Sequence, residues 1–129
     1  VDLGGLRMDS QKLSAFLDGA SEAYVFVATL GAMADREVNK YLRAEPSRGV
    51  ILNAVMIAFI EEFCDKLNGY LLGVDASTKR FSPGYGDLAL EHQREVLALL
   101  DAQRTVGITL TDTCLMVPTK SVSAIVAIK

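Results

Sequence analysis

A chain of 129 residues holds one domain comfortably and two badly, so residues 1–129 are read as a single unit. Half of the residues are hydrophobic and 22% are charged, with 10 Gly and 3 Pro, which excludes disordered and collagen-like classes and points to an aliphatic core. Thirteen Lys plus Arg against 16 Asp plus Glu give a formal net charge of −3, so no basic footprint marks the chain for nucleic acid.

Ser10 is placed to cap a short helix running through Leu17. Residues 23–31, rich in Val, Phe and Tyr and closed by Gly31, predict a strand. Asp35 to Arg43 predicts a helix that stops ahead of Pro46, with its mixed charges on a solvated face.

Val50 to Ile60 is the most apolar stretch, with Asn53 its one polar residue. It is far shorter than the ~20 residues a bilayer requires, so no membrane span is expected. Apolar all round, it predicts a helix buried on several sides and central to the fold. That helix is expected to open with Ser47 as N-cap and to continue amphipathically through Phe63, Cys64, Leu67 and Leu71.

Ser82-Pro83-Gly84-Tyr85 carries Pro and Gly at the central positions of a type II turn, which brings Arg80 near Tyr85. Glycine admits close approach to the backbone, arginine offers a rigid fork to a carboxylate, and tyrosine offers a ring face to a cation. A zwitterionic ligand with an added positive centre suits this set, although a Pro-Gly turn near an arginine is also common as plain structure. Asp87 then predicts the cap of a helix whose stripe is Leu90, Val96, Leu97 and Leu100, and Asp101 and Gly107 bound a short turn. Alternation from Ile108, a turn at Pro118–Ser121 and a strand over 122–129 predict a terminal β-hairpin whose last strand leaves an open edge.

The fold class is therefore α+β: three or four helices packed on a small antiparallel sheet made from the strand before Gly31 and the C-terminal hairpin. Cys64 and Cys114 have no zinc-ligand spacing and read as reduced thiols in a core, and no secretory signal opens the chain, so the cytoplasm is the expected compartment. His92 reads as a solvated surface histidine; without a nucleophile partner it supports no hydrolytic triad, and no metal ligand set is expected. Ser121 and Ser123 read as turn and strand residues, with ligand donation as the alternative.

Arg80-x-x-x-Gly84-Tyr85 followed by a helix, then residues 107–125, resembles the activation domain of cobalamin-dependent methionine synthase in its compact, subunit-sized form. The strand ending at Gly31, the helix from Asn53 to Leu67 and the terminal segment with Lys120–Ser123 follow the same family order. The resemblance implies S-adenosylmethionine as ligand and reductive remethylation of a corrinoid held by a cobalamin-binding methyltransferase subunit, with a flavodoxin-like reductant. It implies that Arg80 clasps the methionyl carboxylate, Gly84 permits backbone contact, and Tyr85 lies at the reacting centre beside the sulfonium or the corrinoid. It also assigns Glu61 to the binding set. Spacing alone leaves Glu61 on the flank of the Ile60, Phe63, Cys64 and Leu67 stripe, where it is equally a solvated residue; Glu62 has Lys66 as a surface ion partner. The family's ligand-binding aspartate falls ahead of Val1, so the chain is expected to be the later part of a longer subunit, part of a methyltransferase system rather than a whole enzyme. The alternative expectation is an interaction subunit that keeps the fold and has lost the ligand.

Overall fold

The computed structural model describes residues 1–70, 73 and 79–129. Its elements in chain order are β1 (Asp2–Leu3), β2 (Leu6–Arg7), α1 (Gln11–Phe16), β3 (Glu22–Thr29), α2 (Ala32–Ala44), α3 (Pro46–Tyr70), β4 (Arg80–Phe81), a 3-10 turn at Leu90–His92, α4 (Gln93–Leu99), α5 (Ala102–Val106), β5 (Thr109–Leu110), β6 (Met116–Val117) and β7 (Ser121–Ile128). The class is α+β, as the sequence predicts.

The sheet is organised around β7. On one side it pairs antiparallel with β3, from Glu22 opposite Ile128 to Thr29 opposite Ser121. On the other it pairs with β4, Arg80 opposite Val126 and Phe81 opposite Ile125. Ser123, Ala124, Ile125 and Val126 are all buried, which a strand covered on both faces requires. Side chains alternate between the faces. Ile125, Val25 and Phe81 join Leu13, Val96 and Leu97 in the main core, while Val122, Ala28 and Phe26 meet Ile60 and Cys64 of α3.

Several local expectations shift. The terminal hairpin is β5 with β6, turning at 111–115, and the Pro118–Ser121 bend leads β7 into the sheet centre instead of leaving it at an edge. The bend is held from outside: the Asp35 carboxylate accepts from Thr119 N at 2.8 Å and Thr119 Oγ1 at 2.7 Å, and Ser121 Oγ donates to Pro118 O while sharing a second hydrogen bond with the Thr29 hydroxyl. Asp35 is thus tied down and not part of a wholly solvated face. Ser10 caps α1, accepting from Leu13 N at 2.9 Å. Asp87 does not cap its own helix, which opens as a 3-10 turn after an extended Ala89; it accepts from Ser10 Oγ and from Gln11 N at 2.8 Å, and so caps α1.

Ser47 lies inside α3, because Pro46 takes the first helical position, where a missing N–H costs nothing. The break between α2 and α3 is the single residue Glu45, whose carbonyl accepts from Gly49 N at 3.0 Å. Gly49 permits the tight return, since a Cβ there would stand 2.5 Å from Leu42 N and 2.7 Å from Leu42 Cα.

The expectation of a helix buried on several sides fails most clearly. Of α3's described residues only Gly49, Ile60, Cys64 and Asn68 are buried, while Val50, Ile51, Val55, Ile57, Phe59 and Phe63 are exposed. α2 covers one flank of the first half and the sheet is reached only near Ile60, so hydropathy outruns the neighbours available to cover it. The continuation to Leu71 lies outside the described residues. Among the described residues no helix is long and apolar enough to cross a membrane.

Candidate functional site

The pleat of β4 sends Arg80 and Phe81 to opposite faces of the sheet. Phe81 enters the main core and Arg80 turns toward α3. There its Nη1 donates to Asp65 Oδ1 at 2.7 Å and its Nη2 to Glu61 Oε2 at 2.9 Å. Glu61 and Asp65 stand one helical turn apart, so both reach one guanidinium. The Arg80 side chain is 15% exposed and the two carboxylate side chains about half exposed.

The expected type II turn is formed: Tyr85 N donates to Ser82 O at 3.0 Å, and Gly84 sits at φ +90°, where a Cβ would also press on Leu90 Cδ1 at 3.1 Å. Ser82 Oγ donates to Ser123 O at 2.6 Å, Ser123 Oγ donates to Gln93 Oε1, and Gln93 Nε2 donates to Cys114 O at 3.0 Å. Ser123 and Ser121 therefore serve the framework. The Tyr85 ring meets Phe81 edge-on at 5.1 Å and keeps its outer side exposed.

These residues border an open cleft of ≈ 820 Å³. Arg80, Glu61 and Tyr85 line it together; Gly84 stands behind, shaping the turn that presents Tyr85. Three charged lining residues escaped the sequence reading: Lys12, Asp65 and Lys79. Asp65 had a signal, its i,i+4 relation to Glu61, whereas Lys12 arrives from α1 through a contact no local pattern encodes. Three cations face two carboxylates there, leaving a formal excess of one positive charge. Such a set carries the charges complementary to an α-amino acid headgroup, cations for a carboxylate and Glu61 or Asp65 for an ammonium.

Burial opposes the charge on Arg80, but its hydrogen bond to Asp65 and the nearby carboxylates outweigh this and hold its pKa above the ordinary value. Cys64, beneath the cluster, is pushed up to about 11, chiefly by burial, with Arg80 pulling the other way and Glu61 and Asp65 adding to the rise. It stays a thiol at neutral pH and is no nucleophile. Cys114 is likewise buried and free. His92 departs from the solvated reading: its side chain is only 20% exposed, with Nδ1 3.5 Å from Glu95 Oε1. Among the described residues no three His, Cys, Asp or Glu side chains gather as metal ligands.

The family model described as vitamin B12 dependent methionine synthase, activation domain, matches residues 65–129, half of the chain. The match takes in Asp65, Arg80, Gly84 and Tyr85 and the strands from β4 to β7, and begins just after Glu61. No curated protein matches the chain.

Proposed function

Since this chain belongs to the activation-domain family of vitamin B12 dependent methionine synthases, we propose that it binds S-adenosylmethionine and serves the remethylation of a corrinoid held by a partner subunit. The observation that carries this is the convergence of Glu61, from α3, with Arg80 and Tyr85, from β4 and the turn after it, on one cleft with the charge pattern of an amino-acid headgroup site. Arg80 holds the carboxylate; Glu61, exposed enough to swing aside, receives the ammonium; Asp65 keeps the guanidinium aimed as Glu61 leaves it. Tyr85 offers its exposed ring to the sulfonium, an attraction of cation–π type, and Gly84 fixes where that ring stands. When bound, S-adenosylmethionine supplies a methyl group whose leaving thioether is neutral, so no proton need move. The chain's own contribution is therefore orientation. The corrinoid comes on a cobalamin-binding methyltransferase subunit and the electron from a flavodoxin-like protein, both in the cytoplasm.

A second reading, an interaction subunit without ligand, is favoured by one observation: both terminal nitrogens of Arg80 are already engaged by carboxylates. Isothermal titration with S-adenosylmethionine and S-adenosylhomocysteine separates the two. Binding of both is expected, with one site per chain; absence of heat for both selects the ligand-free reading.

A further inference from the structure

Away from the cleft, one face of α3 is apolar and uncovered. At about 100° per residue, Arg48, Ile51, Val55, Phe59 and Glu62 fall within a sector of ~80°, opposite the buried line of Gly49, Ile60 and Cys64. Ile51, Val55 and Phe59 are 64%, 54% and 59% exposed, and the side chains of Arg48 and Glu62 more than two-thirds exposed. Contiguous apolar surface rimmed by charge marks an interaction site.

The order of these residues says what fits there. Arg48 stands seven residues before Val55 and Glu62 seven after; Ile51 stands four before and Phe59 four after. We propose that this face of α3 pairs with the same face of a second copy, the two helices antiparallel and crossing at Val55, so that Arg48 of each chain meets Glu62 of the other. A two-fold interface must be complementary to itself, and this spacing of opposite charges about an apolar centre is. A parallel pair would set Arg48 against Arg48 and Glu62 against Glu62. The same register brings Phe59 of the second copy opposite Ile51. There a groove of ≈ 290 Å³, lined by Tyr41, Arg48, Ile51, Leu52 and Val55, has room for a phenyl ring. Within the chain, Arg48 reaches Glu45 at 3.7 Å and Glu62 reaches Lys66 at 3.6 Å. Both pairs are solvent-exposed and weak, and they leave the two charges able to bind across the interface.

Sedimentation of the 129-residue chain tests this apart from any ligand. A dimer of 13.9 kDa chains is expected. Val55→Glu sets two carboxylates against each other on the axis and should weaken dimerisation by about 100-fold, with unchanged helical circular dichroism because Val55 is exposed. R48E and E62R should each weaken it by about tenfold, and the doubly reversed chain should recover it. Within one chain the two positions lie ~21 Å apart along the helix and cannot rescue each other locally. A monomer at every concentration, a dimer indifferent to Val55→Glu, or a double variant no tighter than the single ones overturns the proposal.

Discussion

Ile125 and Ile57 are the same side chain in opposite situations. Ile125, on the middle strand, is fully buried between two paired strands and a layer of helices, whereas Ile57, in the most apolar stretch of the chain, is half exposed. The difference lies in what each segment has beside it. β7 gains neighbours on both edges and both faces, while the first half of α3 has α2 along one flank and meets the sheet only from Ile60 onward. Hydropathy records what a segment could bury; topology decides what it does bury.

The largest effect should come from testing that contrast directly. Ile125→Ala opens a cavity in the main core and should cost about 2–5 kcal/mol of unfolding free energy, measured by urea denaturation. Ile57→Ala should cost under about 1 kcal/mol, since exposed positions lose little and alanine favours helix. Equal costs would mean that α3 is packed as tightly as the sheet, and the contrast would be lost.

Arg80 sits where the two regions meet, held by α3 and carried by the sheet. Arg80→Ala should weaken S-adenosylmethionine binding by about 2–4 kcal/mol, the loss expected on truncating one partner of a desolvated charge pair. Arg80→Lys should recover only part, because a point charge does not replace the fork. Folding should suffer little: Glu61 and Asp65 are half exposed and regain water. An alanine variant that binds as tightly as the parent, in calorimetry, would make Arg80 purely a strut between β4 and α3.

Gly49→Ala attacks the helical hairpin alone. The new methyl would lie within 2.7 Å of Leu42 backbone atoms, which cannot move aside as a flexible side chain does. A loss of about 1–3 kcal/mol is expected, confined to α2 and the first turns of α3. Hydrogen exchange should show those amides accelerated and the β3 and β7 amides unchanged. Acceleration throughout would show that hairpin and sheet unfold as one unit.

What could be read in the sequence follows the same division. The Ser10 cap and the Ser82–Tyr85 turn depend on contacts within four residues, and the strand to Gly31 declares itself by its β-branched and aromatic composition, although its partner β7 lies far along the chain. The two-residue β4, the insertion of β7 between its neighbours and the covering of α3 depend on pairings dozens of residues apart, which periodicity does not encode. The cleft divides likewise: turn chemistry pointed to Arg80 and Tyr85 and family resemblance to Glu61, with Asp65 four residues on along the same helix face, while Lys12 became visible only once α1 stood beside β4.

The smallest effect concerns the joint between that turn and α1. Ser10 Oγ accepts from Leu13 N and donates to Asp87, whose carboxylate also takes the Gln11 N–H, so one linked cap serves a helix from a residue 77 positions away. Ser10→Ala should cost about 1 kcal/mol. Asp87 is exposed, so its own share is less and is best seen through pH. Its hydrogen bond from Ser10 first, then those from the Gln11 and Lys12 backbone, hold its pKa below the ordinary 3.8 against a smaller desolvation effect. A carboxyl group with a depressed folded pKa stabilises fully above its unfolded value and loses that contribution as pH falls through the folded one. The Tm gap between the parent and Asp87→Asn should therefore be constant near neutrality and close as pH falls below 3.8. A gap that persists unchanged into strong acid would mean that Asp87 acts by shape and not by charge, and that the turn is fastened to α1 by Ser10 alone.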